Sequence, residues 1–234
     1  MRPLTPAIED YLRAIHDIAY ENQDAQVTTS LIAERLGVTR ASVTGMLQKM
    51  ASMEPRLVDY ERYQGVKLTE AGRRIALEVI RHHRLIEAYL SEALGYAWDE
   101  VHQEAHRLEH VISEEFEERI ADALGHPSFD PHGHPIPDRD GVLPERDESP
   151  LTELEVGKRA FITRVQSQDG SFLRYLDQIE FSLYQEVEVI KREPSSDQIY
   201  VRIVGREASY PLDPSTTDRI FVSFNLDHPA QANN

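Results

Sequence analysis

The sequence predicts a mainly α chain with a β C-terminal domain. Three observations carry that reading. Apolar residues recur at helical spacing from Ile8 to about Leu124. Near the N-terminus, three of these helical stretches are followed by a Gly-turned hairpin. Beyond a Pro-rich stretch the pattern changes to short β runs.

Pro6 suits a helix's first turn, and Ile8, Leu12, Ile15 and Ile18 share one face, so a first helix is expected to about Glu21. Thr28, Thr29 and Ser30 offer N-caps for a second helix, Leu31 to Leu36, which Gly37 stops. After the tight turn Gly37-Val38-Thr39, a third helix is expected from about Arg40 to Met53, with Val43, Leu47 and Met50 inward. That succession is a helix-turn-helix. Leu57 to Glu61 and Val66 to Thr69 read as a hairpin turned at Gly65, which makes the head a winged helix-turn-helix. A long fourth helix runs from Thr69 to about Ala93 and ends at Gly95. Asp99 then caps a single fifth helix, Glu100 to Leu124, which Gly125 ends. Residues 125–150 gather Pro, Gly and His and read as irregular loop. Strands at 159–165, 186–191, 198–204 and 220–224, with a short helix at 171–178, suggest an SH3-like small barrel. The expected domains are a DNA-binding type head at 1–74, a helical domain at 75–140, a linker at 141–150 and the C-terminal domain at 151–234.

Composition narrows the chemistry. Cysteine is absent, which excludes disulfides, thiolate metal sites and cysteine nucleophiles. No run approaches the roughly 20 apolar residues of a membrane span, and the N-terminus lacks a signal-peptide pattern, so a cytoplasmic protein without membrane partners is expected. The net charge is −16, yet residues 1–74 carry ten basic and ten acidic side chains, so the acidity lies wholly downstream. A neutral head on an acidic body is compatible with local basic contacts to DNA and weak non-specific binding.

A recognition helix reads base edges from its exposed N-terminal residues. Those are Thr39, Arg40, Ser42, Thr44 and Gly45, with Lys49 further along. On the hairpin, Arg62, Tyr63 and Lys67 are placed to meet flanking phosphates or the minor groove. A winged helix used only for protein contacts is the alternative for these residues.

Five of the ten histidines fall between His82 and His110. His102, His106, Glu109 and His110 lie on one helical stripe, His83 and Glu87 are four apart on the preceding helix, and Asp10 lies on the first. Imidazole and carboxylate without thiolate suit Mn(II), Fe(II), Co(II) or Zn(II). His106-Arg107-Leu108-Glu109-His110 also spells the H-x-x-E-H zinc-protease pattern, in which Glu109 would be a general base. A zinc metallohydrolase is therefore an alternative, although an upstream DNA-reading head would then have no purpose.

Several segments together resemble the diphtheria toxin repressor family of metal-dependent transcriptional regulators. They are Glu9-Asp10-Tyr11-Leu12, Ile32-Ala33-Glu34-Arg35-Leu36, Leu68-Thr69-Glu70-Ala71-Gly72, Arg84-Leu85-Ile86-Glu87 and Val101 to His110. The loop His132-Gly133-His134-Pro135-Ile136-Pro137 is similar to the family's Gly-Asn-Pro-Ile-Pro segment. The resemblance covers nearly the whole chain. It implies a non-enzymatic regulator that binds palindromic double-stranded operator DNA as a homodimer, with a FeoA-like C-terminal domain. It also implies a primary metal site of Asp10, His106, Glu109 and His110. An ancillary site would comprise His83, Glu87 and His102, with a C-terminal contribution near Asp169. Asp10 stands where iron-responsive members have Met, and His106 where they have a soft ligand. Asp10, a hard oxygen ligand, tilts the site towards Mn(II), whereas His106 moves it back towards Fe(II) or Zn(II). On balance Mn(II) is favoured, with Fe(II) second and Zn(II) or Co(II) as substitutes. Leu90, Leu94, Trp98 and Phe116 are the expected dimer-forming apolar residues.

Overall fold

The computed structural model describes residues 4–21, 26–61, 64–167 and 169–225. The chain forms two compact units, one of residues 1–82 with 137–142 and one of residues 83–136 with 143–234.

In the first unit, α1 (Pro6–Glu21), α2 (Thr29–Leu36) and α3 (Arg40–Ala51) precede a hairpin of β1 (Val58–Glu61) and β2 (Gly65–Leu68). The Thr28 hydroxyl accepts from Leu31 N–H to start α2, and Gly37, at φ +64, ends it through its own N–H. Thr39 caps α3 by accepting from Ser42 N–H at 3.2 Å. Leu12, Ile15, Ile32, Val43, Leu47 and Met50 bury almost completely around one core. Each such side chain contributes about 1.5–3 kcal/mol through removal from water. The strands pair antiparallel from Val58↔Leu68 to Glu61↔Gly65. The first turns of α4 (Glu70–Glu92) abut this hairpin closely: a Cβ on Gly72 would lie 2.0 Å from the Leu57 carbonyl oxygen.

The second unit contains the rest of α4, two further helices and the β domain. The single fifth helix expected from Glu100 to Leu124 is instead two, α5 (Val101–Leu108) and α6 (Glu114–Ala123). Ser113 explains the break. Its backbone is extended (φ −88, ψ 155), and its hydroxyl accepts from Phe116 N–H to start α6 anew. Glu114, Glu115 and Glu117 in that first turn complement the helix dipole. Leu85, Ile86, Leu90, Val101, Ala105, Ile120 and Ile136 form the helical core. Leu90, expected at a dimer face, is therefore a core residue. Trp98 packs partly against the β-domain core, and its Nε1–H donates to Asp177 at 3.0 Å, so it too is committed within the chain. Leu94 and Phe116 remain exposed.

The β domain is a six-stranded antiparallel sheet in the order β3-β8-β4-β5-β6-β7. Its strands are β3 (Ser149–Pro150), β4 (Arg159–Val165), β5 (Glu186–Arg192), β6 (Ile199–Ile203), β7 (Ser209–Leu212) and β8 (Ile220–Ser223), with helices α7 (Gly170–Gln178) and α8 (Pro214–Thr217). Register shifts at Ile162/Arg164 and Val189/Lys191 interrupt the ladders, as bulges do where a small sheet must curve. The sequence reading missed β7, whose Pro211 argues against a strand; its edge position makes that proline tolerable. None of the described helices is long and apolar enough to cross a membrane.

Candidate metal centre and reading helix

The second unit gathers His and carboxylate side chains from α4, α5 and the loop after α6. Successive turns of α4 present His83 and Glu87 to the same side, and α5 brings His102 to meet them. Glu87 Oε1 lies 2.9 Å from His83 Nε2 and 3.1 Å from His102 Nδ1, and the two imidazole nitrogens are 3.1 Å apart. At the end of α5, Glu109 turns inward with a side chain 0% exposed. Its Oε2 is 2.6 Å from His83 Nδ1, and its Oε1 is 2.6 Å from His106 Nδ1 and 3.4 Å from His110 Nε2.

His83 therefore has a carboxylate at each ring nitrogen. A neutral imidazole donates from only one of its nitrogens. With the proton on Nδ1 toward Glu109, the Nε2 lone pair faces Glu87 and His102, an arrangement that a cation satisfies. The Glu87 carboxyl is held well below the usual range: burial opposes this, but His83, His102 and His132 outweigh it. The donor set is nitrogen and oxygen only, which fits a divalent first-row ion.

A further His-rich group lies in the loop after α6, in the segment singled out above only for its likeness to a family motif. Asp130, His132 and His134 offer ligand atoms within 4.8 Å of one another. Asp130 Oδ1 accepts from the backbone N–H of His132 and His134 at 2.8 and 2.9 Å. His132 is raised to about 9; burial acts against this, while Glu87, then Asp130, favour the charged ring. His134 is lowered, chiefly by burial. Alternation of His with small residues after an Asp was the available sequence signal, and helical periodicity could not reveal it.

Asp10 lies on α1 in the first unit and is partly buried. Asp169 is exposed and caps α7, its Oδ1 accepting from Ser171 N–H and Oγ–H at 2.9 and 2.7 Å. The Ser171 hydroxyl is also the main reason its carboxyl is lowered. Among the described residues the group of His83, Glu87 and His102 does not include it.

On the reading helix, Thr39, Arg40, Ser42, Gly45 and Lys49 are exposed and Thr44 is partly so, as is expected of a groove-facing side. Three hydroxyls already have local partners. Thr39 Oγ1 and Ser42 Oγ are 2.9 Å apart, and Thr44 Oγ1–H donates to the Arg40 carbonyl at 3.0 Å. Arg40 and Lys49 are thus the cations available from this face. Lys67 is exposed on β2, whereas Arg62 and Tyr63 lie outside the described residues.

Comparison with known proteins matches residues 3–66 to the iron dependent repressor N-terminal DNA binding domain. Residues 69–138 match the iron dependent repressor metal binding and dimerisation domain, and residues 149–223 the FeoA domain. The diphtheria toxin repressor of Corynebacterium jeikeium is 32% identical over 193 residues, which is 82% of this chain and 78% of that protein. The iron-dependent repressor IdeR of Mycobacterium tuberculosis is 39% identical over 137 residues, 58% of each chain, so this match spans under two thirds of that relative. The solved structure of a manganese-dependent transcriptional repressor in complex with manganese superposes with a TM-score of 0.84 at 36% identity, covering 93% of this chain and all of that one.

These likenesses do not fit the zinc-hydrolase alternative.

Proposed function

This chain belongs to the diphtheria toxin repressor family of metal-dependent transcriptional regulators, and on that premise we propose that it is a manganese-responsive repressor acting on palindromic operator DNA as a homodimer. The observation that carries the metal part of this reading is the buried array around Glu87, His83 and Glu109, built wholly from nitrogen and oxygen donors. Family resemblance assigns Asp10 with His106, Glu109 and His110 to a primary site, and His83, Glu87 and His102 to an ancillary one.

A bound divalent ion supplies positive charge and directional coordination. The protein's side chains do the rest. Asp10 belongs to the reading head, whereas His106, Glu109 and His110 belong to the dimerising helices. Sharing one ion fixes the head relative to the dimer axis. Paired reading helices then match half-sites one DNA turn apart, about 34 Å. Without the ion, the heads sample other separations and operator affinity falls, a population shift that metal reverses. Arg40 and Lys49 supply the contacts from the reading helix, and the exposed Leu94 and Phe116 contribute to the dimer. The cytoplasm is the proposed location.

Mn(II) is favoured over Fe(II) because Asp10 is a hard oxygen donor. Zn(II) and Co(II) serve as substitutes. The test is Asp10→Ala with operator DNA selected from a random-sequence pool. Metal-stimulated binding should disappear while sedimentation still shows a dimer. Wild-type operator affinity for Asp10→Ala in excess Mn(II) would refute the coupling.

A further inference from the structure

We propose that the loop Asp130 to His134 and Glu87 build an additional divalent-cation site, bridged through the Glu87 carboxylate to the His83 and His102 group. The inference extends the metal reading above and shares Glu87 with it, but it stands on its own residues.

The loop is a built structure. Gly133 has φ +85, and a Cβ there would lie 2.0 Å from the Thr163 carbonyl oxygen, so only glycine lets the loop sit this close to β4. Val165 N–H donates to the His132 carbonyl at 2.8 Å and fastens the loop to the end of the same strand. Three side chains are thereby presented inward, with Asp130 1%, His132 4% and His134 23% exposed.

The donor atoms have the right polarity. His132 Nε2 lies 2.7 Å from the Trp98 carbonyl oxygen, which can only accept, so this nitrogen carries the hydrogen. Nδ1 is then the ring atom left to bind an ion, which displaces any proton held there. It faces Glu87 Oε2 at 3.7 Å and Asp130 Oδ1 at 3.9 Å. Those separations are too long for hydrogen bonds. Ligands about 2.1 Å from a shared ion stand roughly 3–3.5 Å apart, so a small inward adjustment closes the set. His134 Nδ1 is already 3.3 Å from Asp130 Oδ2, the oxygen that does not serve the loop's backbone.

Glu87 supplies the bridge. Its Oε1 is turned to His83 and His102, and its Oε2 to His132. Asp130 and Glu87 together bring two negative charges into a buried space, which one divalent ion balances. Two imidazoles and two carboxylates suit Zn(II), Co(II), Fe(II) or Mn(II).

Equilibrium dialysis of the full-length protein against Co(II) or Mn(II), with elemental analysis, tests the site. The wild type should hold three ions per chain, and Asp130→Asn and His134→Ala two each. Asparagine keeps the oxygen that accepts the two loop N–H groups, so the loop survives the first substitution; His134 is the most exposed member, which protects the second. In wild-type protein the Mn(II) electron paramagnetic resonance should show spin coupling through the Glu87 carboxylate, lost in both variants. Unchanged ion counts in both variants overturn the proposal. Failure of the regulator reading looks different: His110→Ala would then cost no ion, whatever the loop variants do.

Discussion

Glu109→Gln perturbs the most enclosed carboxylate of the proposed metal centre while preserving its shape. Glu109 lies 2.6 Å from both His83 Nδ1 and His106 Nδ1, and 3.4 Å from His110 Nε2, with its side chain out of solvent. An amide retains one acceptor but turns an NH₂ toward the other ring, and it removes the negative charge. Replacing even an outer-shell partner of a metal ligand costs about 10–100-fold in metal affinity, so loss of a direct carboxylate ligand should cost at least about a hundredfold. Competition against a chromophoric chelator near neutral pH measures this directly for Mn(II). The variant should bind at least about a hundredfold more weakly and lose metal-stimulated operator binding in parallel. An Mn(II) affinity within roughly threefold of wild type would show that Glu109 is a structural acceptor for His83 and His106, and no ligand.

Other outcomes are equally specific. Arg40→Ala and Lys49→Ala should each weaken operator binding in excess Mn(II), and a phosphate contact shows as a salt slope reduced by about one; an unchanged slope and affinity for both would remove α3 from the interface. Thr39→Ala removes the α3 cap, so chemical denaturation should show a loss of about 1 kcal/mol, whereas no shift in midpoint would mean the cap is idle. Gly72→Ala drives a Cβ into the Leu57 carbonyl oxygen, where overpacking costs about 1–3 kcal/mol or more; a variant as stable as wild type contradicts the close approach of α4 to the hairpin. Leu94→Asp with Phe116→Asp should yield monomers by sedimentation if these exposed apolar residues join the dimer, and a persistent dimer would place the interface elsewhere.

Local rules made the head legible. Thr28 and Gly37 are cap and stop signals whose geometry is set within a few residues, and the structure realises both; Thr39, read as part of the turn, proves to cap α3 as well. The 3.6-residue period likewise put His83 and Glu87 on one side of their helix, while the joining of His102 to them came from the family resemblance. What periodicity could not supply was the break at Ser113. The apolar spacing continues across it, while the capping hydroxyl that splits the helix is one residue in a polar run. Asp169, placed near the ancillary site by the resemblance, caps α7, because an Asp two residues before a Ser is as good a helix cap as a ligand. The loop residues Asp130, His132 and His134 escaped because loop conformation has no period. They converge through Gly133 and the edge of β4, a non-local contact that sequence spacing does not encode. Leu90 and Trp98 show the same limit. An apolar residue on a helix does not reveal whether it faces its own core or a second chain, and here both face inward.

Side-by-side operator binding in Mn(II), Fe(II), Zn(II) and chelator tests the central claim most directly. Tight binding should appear only with a divalent ion, be strongest at limiting Mn(II), and vanish in Asp10→Ala. Equal affinity for the same DNA in chelator would contradict metal gating altogether.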